Sequence, residues 1–141
     1  MNHSRRNSKR RWQDPRIDLS PFEKKFNMPK IPVWCEDLGP DTLGSFHPDG
    51  CDCGRPYGIA LNTPLLETTD RDPNKTLIHE AVHALCHYFY PEAMEADKRQ
   101  TVLLDSLVGD EYGYRNSKAE HIANVGSDIL QRSGMKLWRD R

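Results

Sequence analysis

No apolar run in this 141-residue chain approaches the ~20 residues that span a bilayer, and its first residues carry charge rather than the apolar core of a secretory leader. Both absences argue against membrane insertion and export, so the expected compartment is the cytoplasm. Cysteine is sparse: Cys35, Cys51, Cys53 and Cys86 form no C-x-x-C pair and fit reduced thiols in that compartment. Hydrophobic residues make up 36% of the chain and its mean hydropathy is −0.80, which describes a polar, loop-bearing protein. The length suits one domain with a modest core. There is no internal repeat and no long low-complexity segment.

The net charge of −1 hides an asymmetry. Residues 1–16 hold Arg5, Arg6, Lys9, Arg10, Arg11 and Arg16 against Asp14 alone, a balance of +5 that leaves −6 on the rest. With almost no apolar content beyond Trp12, this segment reads as a disordered basic tail ahead of a domain over residues 17–141. Its charge suits a weak nucleic-acid contact through counterion release; the alternative is a solubilising tail with no partner of its own.

What is present is concentrated in Thr76-Leu77-Ile78-His79-Glu80-Ala81-Val82-His83-Ala84-Leu85. It carries H-E-x-x-H, and on a helix that spacing stacks two imidazoles one turn apart on one face. Two such nitrogens can grip a Zn²⁺, with the intervening Glu80 as general base toward a metal-activated water. At about 100° per residue, Ile78, Val82, Leu85 and Phe89 form an apolar stripe, and His79, His83 and His87 form a second one beside it. His79 and His87 lie about 12 Å apart along a straight helix, so one ion takes His79 and His83 and leaves His87 as a supporting or surface residue.

Ser20 as N-cap, Pro21 and Glu23 open a short helix to about Phe26. Pro29 and Pro32 force extension, and Ile31–Cys35 reads as an edge strand because Pro cannot donate to a central ladder. Leu43–His47 and Tyr57–Asn62 are further strands, the latter alternating Tyr57, Ile59 and Leu61 on one face. Cys51 and Cys53 in the turn between them, with Cys35 and His47, have the chemistry for a structural zinc, but C-x-C without a second pair reads better as ordinary thiols. Residues 65–74 form a polar loop. The H-E-x-x-H helix then runs from Pro73 or Asn74 to about Tyr90, where Pro91 stops it. A helix over 92–107 would bury Met94, Val102, Leu103, Leu104 and Leu107, and one over 117–132 would turn Ile122, Val125, Ile129 and Leu130 inward. Gly134 ends the latter, and Leu137-Trp138 fold back onto the body.

A catalytic zinc usually takes three protein ligands. Phe89 stands where a metzincin would place its third His, so that arrangement is ruled out. Glu120 on the last helix is the preferred third ligand, since Ala123, Asn124 and Ser127 are small enough to let the two helices approach. Ser117-Lys118-Ala119-Glu120 is equally a capping box, in which Glu120 would bond the backbone instead. His121, Asp97, Glu95 and Glu111 are the other candidates.

The H-E-x-x-H stretch followed by Glu120-His121-Ile122-Ala123-Asn124 resembles the small zincin-like metallopeptidases of phages and prophages, and more distantly the ImmA/IrrE-type peptidases, across about residues 57–132. The resemblance implies an α+β, minimal zincin-like fold: a small twisted sheet of about three strands, the active-site helix and two further C-terminal helices. It implies a sheet edge strand, taken as Tyr57–Asn62, over the metal and able to pair with an extended peptide. The activity implied is hydrolysis of protein or peptide substrates in the cytoplasm (the host's, for a phage protein), with one Zn²⁺ on His79, His83 and Glu120 and with Glu80 as base. Tyr112 or Tyr114 could stabilise the oxyanion, against a structural role for either. The rival functions are a non-catalytic binding module of the same fold and a protease located on DNA by residues 1–16.

Overall fold

A computed structural model describes residues 11–50, 54–109, 112–115 and 117–139. The fold is α+β. Strands β1 (Arg11–Trp12), β2 (Val33–Glu36), β3 (Gly44–His47) and β4 (Gly58–Leu61) form a mixed sheet in the order β1-β2-β4-β3. β2 runs parallel to β4, and the outer pairs are antiparallel. Around it lie helices α1 (Ser20–Phe26), α2 (Thr63–Leu66), α3 (Pro73–Phe89), α4 (Pro91–Val108), α5 (Tyr112–Arg115) and α6 (Lys118–Arg132). Among the described residues, no helix is long and apolar enough to cross a membrane.

Several expectations about the strands change. The sheet has four strands rather than three, because residues 11–16, expected within the basic tail, join the body. Arg11 and Trp12 pair with Glu36 and Cys35, and Arg16 closes on Asp14 and lies 4.4 Å from the Trp138 ring centre. Residues 1–10 lie outside the described residues. β2 is therefore interior rather than an edge: Pro29 and Pro32 precede the strand and leave its ladder intact. β4, expected as the edge, is central and buried along its whole length. The free edge beyond it belongs to β3.

α3 is fixed at both ends by its own sequence. Asp72 caps it, accepting from Asn74 N at 2.9 Å, and Pro73 occupies its first turn, where a missing N–H costs nothing. Pro91 stops it, and the Tyr90 N–H closes onto the Cys86 carbonyl at 2.8 Å. Leu77, Ile78, Ala81, Val82 and Ala84 are buried in the core with Phe22, Ile59 and Leu61, whereas Phe89 is exposed. At the other end, Asn74 is a buried anchor. Its amide donates to Met135 O and Gln131 Oε1, and its carbonyl accepts from Leu137 N and Trp138 N. That clamp produces the expected fold-back of Leu137 and Trp138, both buried.

Local differences follow from tertiary contacts. Ser20 lies inside α1, whose cap position is Leu19, because Ser20 N donates to Asp18. Part of the expected 65–74 loop is α2, capped by Asn62. In α4 only Met94 is buried; Val102, Leu103 and Leu107 are exposed, since α4 leans on short α5 and the rim of a cleft rather than on the sheet. α6 is turned over. Ala123, Ser127 and Leu130 are buried while Ile122, Val125 and Ile129 face outward. The close α3–α6 approach needs small side chains at the contact, so the branched residues are left on the far face.

Candidate metal centre

His79 and His83 stand one turn apart on α3, with ring centres 5.0 Å apart. Facing them from α6 is Glu120. Its Oε1 lies 3.2 Å from His79 Nε2 and its Oε2 lies 2.9 Å from His83 Nε2, one carboxylate spanning both rings. The three ligating atoms lie within 4.8 Å of one another, and among the described residues this is the one cluster of His, Cys, Asp and Glu able to hold a metal ion. The approach comes from small residues, Ala123 and Ser127, both buried, and Gly126, where an added Cβ would stand 3.5 Å from a Val82 methyl.

Glu120 can serve the imidazoles because the backbone at the start of α6 is satisfied by other groups. Ser117 Oγ accepts from Glu120 N at 3.0 Å, so the serine half of the capping box forms. The glutamate half does not: Ser117 N donates to the Tyr114 carbonyl at 3.2 Å instead. The next two N–H groups, of Lys118 and Ala119, point at the Asp97 carboxylate on α4, at 3.1 and 3.4 Å. Every free donor of the first turn has a partner without Glu120.

Glu80, between the two His on the sequence, is 8% exposed and lies against β3. The Phe46 N–H donates to its carboxylate, and a Cβ placed on Gly44 would come within 3.4 Å of its Cγ. Burial raises the Glu80 pKa, outweighing the pull of the two imidazoles. Burial acts on Glu120 in the same direction, but the hydrogen bonds from His79 and His83 win and hold it well below the usual carboxylate range. For His83, burial works against the charged form, yet the Glu120 and Glu80 carboxylates raise its pKa overall. His87 is lowered by burial and then by the charge of His83; its ring lies 5.1 Å from Phe46.

Two adjoining cavities open on the site, about 580 Å³ on the His79 side and about 850 Å³ on the His83 side, sharing Gly44, Glu80, Tyr114 and Glu120 as lining. Their common rim, Asp41-Thr42, is held by buried Asn62, whose amide donates to Thr42 O and Gly39 O. Sequence reasoning missed Asn62; its sole cue is an Asn one residue before Thr63-Pro64, a helix-capping pattern.

The remaining candidates do not join the cluster. His121 is exposed, Asp97 is committed to the α6 backbone, and Glu95 pairs with Arg99. Glu111 and the side chain of Tyr112 lie outside the described residues. Tyr114 lines both cavities. Cys51 and Cys53 also lie outside; Cys35 is buried and free, and His47 bonds Ser45 Oγ at 2.8 Å. Compared with protein-family models, curated proteins and solved structures, the chain matches none.

Proposed function

We propose that the protein is a zinc-dependent peptidase with a minimal zincin-like arrangement, in which His79, His83 and Glu120 hold one Zn²⁺ and Glu80 is the general base. The observation that carries the reading is the Glu120 carboxylate set between two imidazoles a helical turn apart. Metal bonds of about 2.0–2.1 Å at tetrahedral angles separate ligand atoms by about 3.3 Å. The observed His–Glu spacings are 3.2 and 2.9 Å, to the two different carboxylate oxygens, and one donor atom from each residue lies within 4.8 Å of the others, so small side-chain shifts would close the set on such an ion. Nitrogen and carboxylate donors suit zinc, and three protein ligands leave a position for water.

A bound divalent ion would supply Lewis acidity, acidifying a water and polarising the scissile carbonyl. With such an ion in place, Glu80 would accept the proton of the attacking water and would deliver it to the amide nitrogen as the C–N bond breaks. Its place between the two imidazoles in the sequence and on the lining of both cavities puts Glu80 where it could carry out both transfers. Glu120, as a carboxylate ligand, would offset part of the charge of the ion.

The test is Glu80→Gln in zinc-loaded protein. It should retain about one Zn²⁺ per chain by metal analysis while peptide hydrolysis falls to background. Wild-type turnover in that variant would remove Glu80 from the role of base. A wild-type protein holding no zinc would favour a non-catalytic module instead.

A further inference from the structure

The two cavities differ in chemistry, and the difference runs along the line of the two His residues. On the His83 side the apolar walls are Phe46 from β3 and Met94 and Val102 from α4, with Lys98 and the α6-bound Asp97 also lining the cavity. Val102 is 60% exposed although its helical register marks it for a core. Phe46 is braced edge-on by Tyr57 at 5.7 Å and touches His87, so its ring is a fixed apolar floor. On the His79 side the walls are polar, with Thr76, Asn124 and two cations, Arg71 and Lys75. Among the described residues Arg71 makes no ion pair, and Lys75 reaches Asp128 only at 3.9 Å, both partners being about half exposed.

The acids lining that side, Asp41, Asp72, Glu80 and Glu120, keep their charge, but among the described residues none of them forms an ion pair with Arg71 or Lys75. Asp72 is spent on the α3 cap and on Gln131 Nε2 at 2.5 Å, and Asp41 belongs to the rim common to both cavities. Glu120 is bonded to the imidazoles, and Glu80 lies against β3 with the Phe46 N–H on its carboxylate.

Resting on the peptidase reading, we propose that the cleft selects its substrate by this asymmetry: an apolar side chain seats against Phe46, Met94 and Val102 on one side of the scissile bond, and a carboxylate meets Arg71 and Lys75 on the other. The carboxylate comes either from an acidic side chain or from the peptide C-terminus. The apolar contact is a burial effect, insensitive to salt. The cation contact is solvent-exposed, modest in strength and weakened by salt.

The experiment uses the full chain and synthetic peptides with leucine or serine on one side of a single cleavable bond and glutamate, glutamine or lysine on the other, each with a free or an amidated C-terminus. Cleavage by the zinc-loaded wild type is read by mass spectrometry, and binding to the Glu80→Gln variant by fluorescence anisotropy. The glutamate peptide should exceed the lysine peptide about three- to tenfold at low salt in both readouts. Arg71→Glu should reverse that order, and Val102→Asp should remove the benefit of leucine over serine while zinc content stays unchanged. A preference that follows the free C-terminus rather than the side chain identifies the terminal carboxylate as the group bound.

An unchanged glutamate-to-lysine ratio in Arg71→Glu, with cleavage intact, overturns this inference and leaves the peptidase reading standing. Selective binding by Glu80→Gln without cleavage by the wild type overturns the peptidase reading and leaves the cleft chemistry. Neither binding nor cleavage overturns both.

Discussion

Asp97 touches neither imidazole, yet the structure makes it responsible for where Glu120 stands. Its carboxylate accepts Lys118 N at 3.1 Å and Ala119 N at 3.4 Å, two of the donors that would otherwise be free at the start of α6. In Asp97→Ala that turn loses a cap, worth about 1 kcal/mol, and a negative charge at a helix N-terminus, worth about 0.3–1 kcal/mol. The total is about 1–2 kcal/mol, with the longer bond favouring the lower half. If the loosened turn lets the Glu120 backbone wander, or draws its carboxylate back to the cap, the same free energy appears as lost metal affinity. At about 1.4 kcal/mol per factor of ten, the zinc Kd should weaken roughly five- to thirtyfold. Asp97→Asn keeps an acceptor without the charge and should fall between. The assay is competition with a chromogenic chelator, alongside urea unfolding of the metal-free protein. Phe22→Leu, in the α1 part of the core, serves as a control that loses stability without changing a group that bonds the first turn of α6. A zinc Kd for Asp97→Ala within twofold of wild type, whatever its stability, refutes the reasoning and reduces Asp97 to a helix cap.

Glu36 is 1% exposed and held by three contacts from Arg55 (3.1, 3.1 and 2.6 Å), by Trp34 Nε1 at 2.9 Å and by Arg11 at 3.4 Å. Arg55→Met leaves this buried carboxylate with Trp34 and Arg11 alone and should cost up to about 3 kcal/mol, a fall in Tm of at most roughly 6–12 °C. Burial pushes the Glu36 pKa up, but Arg55 and Trp34 outweigh it and the net value is lowered. The stabilisation is therefore present above the ordinary carboxylate range and lost as pH falls through the lowered value. The gap between wild type and variant should narrow in acid, and a gap that stays constant down to about pH 3 contradicts the assignment. Two glycines should respond oppositely to alanine. A Cβ at Gly126 meets only the Val82 methyls, at 3.5 and 3.6 Å, so Gly126→Ala should gain up to about 1 kcal/mol in urea unfolding through helix propensity. A Cβ at Gly113 would stand 2.3 Å from the Thr101 carbonyl, and Gly113→Ala should lose about 1–3 kcal/mol in the same assay.

The sequence by itself determined whatever depends on near neighbours along the chain. The limits of α3 follow from Asp72, Pro73 and Pro91, and the stacking of His79 over His83 follows from helical pitch. The small face of α6 that admits Glu120 follows from Ala123 and Ser127. Tertiary structure alone decided what depends on groups distant in sequence. Strand order cannot be read from strand pattern, because β4 and β3 look alike until their partners are known; so the free edge beside Glu80 turned out to be β3. The outward face of α6 was equally hidden, since Ile122, Val125 and Ile129 carry more apolar surface than the small residues that steric closeness put inside. The capping box was ambiguous for the same reason: Ser117 and Glu120 specify two hydrogen bonds locally, and only Asp97, twenty residues upstream of Ser117, together with the Tyr114 carbonyl, released the glutamate to face the imidazoles.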